Sequence, residues 1–274
     1  MRDGRYPGWW LALAVFVSSP WLIAQGPISG FPVSKGEIAI APAYGLERYD
    51  SYFGEDGATE DRDVTTNSYS LFVEAGMDDR TSLIATLPYL RTNERSGSLQ
   101  DASVWLKYNN LDSRTERGAH RAFTAVGLSF PVGDYETAGI AALGQRATVF
   151  GTRLVYQHQY DSGFFLHAQS GFDLQFAPES RASWPLLFRS GFGTRYYYVE
   201  GWLEFITALG QGSAVQTATA TTGSSWQRAG LTLYLPITPW VGLTAGGAYV
   251  LGGEYIGRST RINIGCVLKI LPKD

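Results

Sequence analysis

Between residues 164 and 176 the chain reads FFLHAQSGFDLQF, and its alternate positions separate into two lists. Phe164, Leu166, Ala168, Ser170, Phe172, Leu174 and Phe176 are apolar but for one serine; Phe165, His167, Gln169, Gly171, Asp173 and Gln175 are polar after the first. Successive side chains of a strand point to opposite faces, so the stretch reads as a strand with one oily and one wet face. It is longer than the about six residues of a common globular strand and reaches the about 9–11 needed to cross a hydrocarbon layer at a tilt.

The pattern recurs at 35–44, 67–76, 82–91, 100–108, 121–130, 146–157, 185–193, 197–209, 225–235, 240–251 and 260–270. These make about twelve strands, an even number, as bacterial membrane barrels require. Pro88 inside the third stretch predicts a bulge or local break. Connections near 77, 160, 195 and 238 are tight, whereas 50–66, 131–145 and 210–224 are long, and 92–98 and 252–258 read as further loops. Short periplasmic turns and long outer loops are the asymmetry of such barrels, which places both chain ends in the periplasm. The charged connection 109–119 is a long exception on the short side. The acidic stretch 50–63, with Glu55, Asp56, Glu60 and Asp61, lacks the order of a calcium loop and reads as a solvated outer loop.

The predicted fold is therefore all-β: an antiparallel transmembrane β-barrel of about twelve strands, following an N-terminal signal peptide. A secreted soluble sandwich also alternates, but its strands recur every 8–12 residues, against roughly 20 here, and these outward lists would expose large oily patches to water. Residues 1–26 have a basic start at Arg2 and Arg5, the apolar run 9–17 (WWLALAVFV) and small residues at Ala24 and Gly26. That is the layout of a secretory signal, the competing reading being a retained anchor. Residues 27–274 form the barrel domain. After residue 26 no apolar run reaches the about 18 residues of a spanning helix, so the destination is the outer membrane of a Gram-negative-type bacterium.

Composition agrees. The chain has 274 residues, 45% hydrophobic and 17% charged, and a mean hydropathy of −0.09. This is too polar for a bundle of membrane helices and suits a barrel whose strands each show one face to a polar bore. A net charge of −3 leaves no electrostatic footprint for nucleic acid. Cys266 is the single cysteine, so no intramolecular disulfide forms. Tyr44, Tyr89, Tyr108, Tyr156, Trp184, Tyr196, Tyr197, Trp240 and Tyr249 fall near strand ends, as aromatic girdles would.

The wet faces carry Glu37, Glu74, Asp101, Lys107, Arg121, Arg153, His167, Asp173, Arg189, Glu200, Glu204, Arg228, Arg261 and Lys269. A bore of mixed sign reads first as a salt-bridged interior and second as a polar constriction that selects solutes; the two are compatible. Outer-membrane phospholipases and lipid A deacylases carry a His-x-Ser pair on a strand. Here His167 and Ser170 are three apart and point to opposite faces, so they cannot act as base and nucleophile. No catalytic residue is assigned. No His/Asp/Glu cluster has metal spacing and no Gly-rich phosphate loop precedes a helix, so no cofactor is expected.

Three passages, 72–91 (FVEAGMDDRTSLIATLPYLR), 99–108 (LQDASVWLKY) and 127–134 (GLSFPVGD), resemble an outer-membrane barrel family named for the meta-cleavage pathway of phenol degradation. The resemblance implies an outer-membrane barrel with a transport role for small organic molecules, and it supplies no catalytic residues. Many outer-membrane barrels end in an aromatic residue read by the barrel-assembly machinery; this chain ends Ile270-Leu271-Pro272-Lys273-Asp274. The functional expectation is a passive channel for small organic solutes, seated in outer-membrane lipid. A structural or adhesive barrel whose loops bind a partner is the alternative, and a barrel lipid hydrolase ranks third.

Overall fold

Strict alternation over long stretches lets each strand bury one face and present the other to lipid, and the chain closes such strands into a ring. The structure, a computed structural model, describes residues 28–54, 58–93, 97–137, 144–210 and 224–272. The expected signal peptide at 1–26 and most of the loop at 210–224 lie outside these residues. The strands are β1 (Ile38–Phe53), β2 (Thr59–Gly76), β3 (Thr81–Thr92), β4 (Ser98–Leu99), β5 (Asp101–Thr115), β6 (Gly118–Pro131), β7 (Thr148–Tyr160), β8 (Phe164–Ala177), β9 (Arg181–Gly193), β10 (Tyr198–Leu209), β11 (Ser225–Pro236), β12 (Val241–Glu254) and β13 (Ile256–Ile270). The two-residue β4 continues into β5 across Gln100 as one staff of the wall, which gives a closed antiparallel barrel of twelve staves. Closure is made by β1, which pairs with β2 on one side and with β13 on the other. No open sheet edge is left for water or another chain.

The outer face is predominantly oily. Leu154 and Leu231 are each 64% exposed, Ile264 60% and Ile262 59%, an arrangement tenable in hydrocarbon and not in water. Among the described residues no helix is long and apolar enough to cross a membrane; the crossing is made by strands. Tyr44, Tyr69 and Tyr89 form an outward chain with ring centroids 5.3 and 6.2 Å apart. The expected aromatics Tyr108, Tyr156, Trp184, Tyr196, Tyr197 and Trp240 are likewise exposed.

The strands overrun the sequence expectation where they leave the membrane. Much of the acidic stretch 50–63 is not loop: β1 continues to Phe53 and β2 begins at Thr59, with Ser51 opposite Asp61 and Tyr52 opposite Glu60. The long connection at 109–119 is likewise corrected. β5 runs to Thr115, and Thr115 faces Gly118 across a tight hairpin, so the exception on the short side disappears. The loop expected at 252–258 is a sharp corner at Tyr255, whose φ is 57°. In all three the regular two-residue alternation fades while the hydrogen-bond ladder continues, and at two of them the inner face holds buried apolar groups, Tyr49, Tyr52 and Val64 in one and Val250 and Ile256 in the other. At Pro88 the outcome is subtler. β3 runs through it in register with Ser70 of β2, and the break falls in its other neighbour at Gln100, whose N–H donates to Pro88 O at 2.9 Å. The proline cannot donate, so the ladder yields on its β5 side.

Candidate functional site: the bore

Among the described residues, five carboxylate–cation pairs have both partners buried or half-buried. Lys107 Nζ lies 2.6 Å from Glu74 Oε1, Arg153 Nη1 2.6 Å from Asp173 Oδ1, Arg228 Nη2 2.5 Å from Glu204 Oε2 and Lys269 Nζ 3.4 Å from Glu37 Oε1. Arg261 pairs with Glu47, its Nε donating at 2.9 Å. Each pair joins adjacent strands or, for Glu74 and Lys107, strands flanking β3, because cross-strand neighbours on one face come within side-chain reach. Two arginines add three cation–π contacts: Arg153 over Trp105 at 5.1 Å, and Arg228 over Trp226 and Trp202 at 4.9 and 5.5 Å.

Of the candidates, Glu37, Glu74, Lys107, His167, Asp173, Arg189, Glu200 and Lys269 are buried, and Asp101, Arg121, Arg153, Glu204, Arg228 and Arg261 are half-buried. Arg121 bonds Gln159 at 2.8 Å and approaches Asp112 at 3.4 Å near the tight-turn rim. His167 is buried beside Gln157, with Nδ1 and Oε1 3.2 Å apart. Glu200 accepts from Tyr198 Oη at 2.5 Å, and Arg189 is buried beside them. Ser170 sits on the opposite face and accepts from Trp184 Nε1 at 2.8 Å, so it does not meet His167. Asp101 takes a different part. It accepts the Tyr135 hydroxyl and the Ala147 N–H at 3.1 Å, while Arg146 N–H donates to Tyr135 Oη at 2.9 Å. These bonds tie Tyr135, Arg146 and Ala147 to the start of β5.

Two features escaped the sequence. One is Glu47, which lay beyond the expected end of the first strand and is the partner of Arg261. The other is larger. Residues 28–36 do not lead away from the barrel; they enter it as a strap across the end that carries the tight turns. Ile28 is 1% and Phe31 5% exposed. The Phe31 ring meets Phe165 and Tyr198 edge-on at 5.8 and 6.3 Å, and its carbonyl accepts from Lys107 Nζ at 2.9 Å. Ile28 O accepts from Arg189 Nη2 at 3.3 Å. Around the strap the inner wall is apolar, with Phe72, Ile84, Phe123, Val155 and Val267 in one buried cluster with Ile28 and Phe31. A signal was available: the inner-face residues Phe72, Phe123 and Phe165 are oily where a simple water-filled pore would be polar.

Above the strap the bore is partly empty, with polar groups around the gap and two buried apolar clusters farther toward the long connections, one of Tyr49, Tyr52 and Val64 and one of Ile206, Trp226, Val250 and Ile256. A cavity of about 370 Å³ lies between Glu47, Arg261, Ser68 and Asn263 on one side and Asp101 and Gln145 of the inward connection on the other. The strap thus packs into the tight-turn end, and Tyr135 is tied to Asp101 beside the cavity toward the other.

No family model matches the chain, and no curated protein matches its sequence. Solved structures do resemble it. An outer membrane channel from Pseudomonas putida F1 superposes with a TM-score of 0.68 at 14% identity, over 87% of this chain and 97% of that one. The fold is that of an outer-membrane barrel. The NanC porin follows at a TM-score of 0.52 and 10% identity, over 84% and 100% of the two chains. The KdgM porin stands at 0.51 and 11%, over 84% and 99%.

Proposed function

We propose that the protein is an outer-membrane channel that passes small organic solutes passively along its bore, and that the strap closes it. One observation carries the reading: the tight-turn half of the bore is filled by a separable segment rather than by the wall itself. A narrow barrel of about eight strands packs its own side chains to the axis, and wider barrels enclose a cavity or channel. Twelve staves leave a space that needs the strap to fill it. The charge pairs above it leave no large field of one sign, which favours solutes of low charge. The three passages that resemble the phenol meta-pathway family support organic solutes, and the channel and porin folds among the structural neighbours support passage. The barrel-assembly machinery would insert the chain with its tight turns toward the periplasm.

Single-channel recording in a planar bilayer tests this. The folded barrel containing the strap is expected to open rarely and to small levels, and a variant lacking residues 28–36 to conduct continuously at a higher level. A folded deletion variant that stays silent would overturn the proposal and turn attention to the projecting acidic β1–β2 hairpin as a binding surface.

A further inference from the structure

The strap does more than fill space; it satisfies a set of groups that belong to the wall. Lys107 is 2% exposed and its ammonium has three N–H bonds. One goes to Glu74 at 2.6 Å, and the strap takes the others, at Phe31 O (2.9 Å) and Ser29 Oγ (3.4 Å). Beside it, Phe165 and Tyr198 stack at 5.3 Å with an interplanar angle of 10°, and Phe31 packs its ring against both. If the strap leaves, the wall is left with buried donors lacking acceptors and an aromatic wall lacking its ring, and each such donor costs free energy until something replaces the oxygen.

We propose that the place now held by Phe31 is a binding site for a small uncharged aromatic compound bearing a carbonyl oxygen, which displaces the strap as it enters. The inference rests on the reading of the bore as a solute route and names the solute class. The ring requirement follows from the edge-on contacts with Phe165 and Tyr198, and the oxygen requirement from the Lys107 donors. The absence of charge follows from Glu74: Lys107 is already neutralised by that carboxylate, so an anion would bring an uncompensated charge into a buried place.

The strap is built to be displaced. It joins no strand ladder. Backbone bonds tie its root, Gly36 N to Gly76 O at 2.8 Å and Glu37 N to Ser34 O at 3.0 Å, so residues 28–33 can swing out about a fixed base. At Gly30 the segment passes so close to the wall that a Cβ would stand 2.3 Å from Gln157 Oε1 and 2.8 Å from His167 Nδ1. A side chain there would have to push the Gln157 amide and the His167 ring aside, so glycine lets the chain lie against them and seat Phe31. A ligand that must compete with a built-in occupant binds with its intrinsic affinity reduced by the fraction of molecules whose site is vacant. Removing the occupant's ring therefore tightens binding.

The test uses the intact barrel folded in detergent, with benzamide as probe. Benzoate shares its ring but carries a charge, and cyclohexanecarboxamide shares its carbonyl but lacks the ring. Binding is read by calorimetry, and strap motion by a spin label on Val33→Cys, within the swinging part, in a Cys266→Ala background. Benzamide is expected to bind saturably and to mobilise the label, with both comparators at least tenfold weaker. Phe31→Ala, which vacates the ring position and leaves the wall intact, is expected to bind benzamide at least tenfold tighter. Folded Phe31→Ala protein that shows no saturable benzamide binding would overturn the site, and benzoate binding as tightly as benzamide would overturn the uncharged class. A protein that conducts but never binds benzamide keeps the channel and loses the site. One that binds benzamide but does not conduct keeps the site and loses the channel.

Discussion

Toward the tight turns the inner wall presents Phe72, Ile84, Phe123, Phe165 and Val267, each 4% exposed or less, closed over by the strap. Toward the long connections β1, β2 and β13 present Glu47, Ser68, Asn263 and Arg261 around a cavity of about 370 Å³, with smaller apolar clusters at the strand ends beyond it. The outer face shows no such division, because lipid asks for apolar side chains at every level. The inner face is free to change character along the axis, and here it does so between two means of closure. The first is burial: a Phe side chain taken from water into such a cluster contributes about 1.5–3 kcal/mol, and the occupant can be withdrawn whole. The second is pairing of fixed charges, which narrows the bore without blocking it.

The sharpest way to break that comparison is to remove one carboxylate from each half. Glu74→Leu leaves Lys107 buried and uncompensated, which is expected to cost about 3–5 kcal/mol. Glu204→Leu leaves Arg228, about 15% exposed and lying over two indole rings, so solvent offsets part of the loss and about 1–2 kcal/mol is expected. Denaturant unfolding in detergent reads both. Combining Glu74→Leu with Lys107→Met is expected to recover most of the loss, because replacing both members of a buried pair is far cheaper than orphaning one. Equal costs for the two single variants would mean the halves are not different environments.

A gentler change separates the strap from the wall that holds it. A Cβ on Gly76 would stand 2.0 Å from Ser34 O, so Gly76→Ala must push the strap's root aside. We expect cysteine labelling at position 34 to rise about tenfold with a barrel stability change of about 1 kcal/mol or less. In the polar half the matching experiment is Arg261→Ala, which leaves Glu47 with Ser259, whose hydroxyl donates at 2.5 Å. Reversal potentials in a salt gradient are expected to shift toward cations by a few-fold in permeability ratio. Lys269→Ala, behind the strap, is expected to shift them less, and an equal shift would show that ions pass the strap freely.

The wall was legible in the chain because lipid on one side and a polar bore on the other enforce a two-residue period over long stretches. Residues 164–176 announce the inward His167 and Asp173 without any knowledge of the fold. What the period could not announce lies where one of the two solvents changes. Beyond the hydrocarbon on either side the alternation fades, and the extensions through Tyr52 at the long-connection end and Asp112 at the tight-turn end read as loops. Glu47 vanished with them, leaving Arg261 without its partner. The strap has no period at all, since Gly30 and Pro32 interrupt it and its contacts are with residues far along the chain. Its imprint was present on the wall as oily inward residues, but those read locally as exceptions. Lys107 was identified as lumen-facing, yet its link to Phe31 spans 76 positions and no local pattern carries that.

The mildest probe of the two ends is pH, since each end has one titrating group outside the spanning segments held by hydrogen bonds. At the tight-turn end, the N–H groups of Arg80 and Thr81 both donate to Asp78 Oδ1 at 2.8 Å, which holds this exposed carboxyl below its ordinary value. A depressed folded pKa contributes stability that is present above the ordinary value of about 3.9 and is lost as pH falls through the depressed one. At the other end, burial and then the bond to Asp101 push the Tyr135 phenol above its ordinary value. That contribution is present below about pH 10 and is lost as pH rises through the raised value. Spin labels at Asp79→Cys and Val132→Cys, each in the Cys266→Ala background, should therefore loosen at opposite extremes: the first in acid alone, the second in alkali alone. Asp78→Asn, which can still accept both bonds without titrating, should abolish the acid response and leave the alkaline one. If both labels loosen together at either extreme, the ends are coupled through the barrel and the division of the bore into two independently closed halves does not hold.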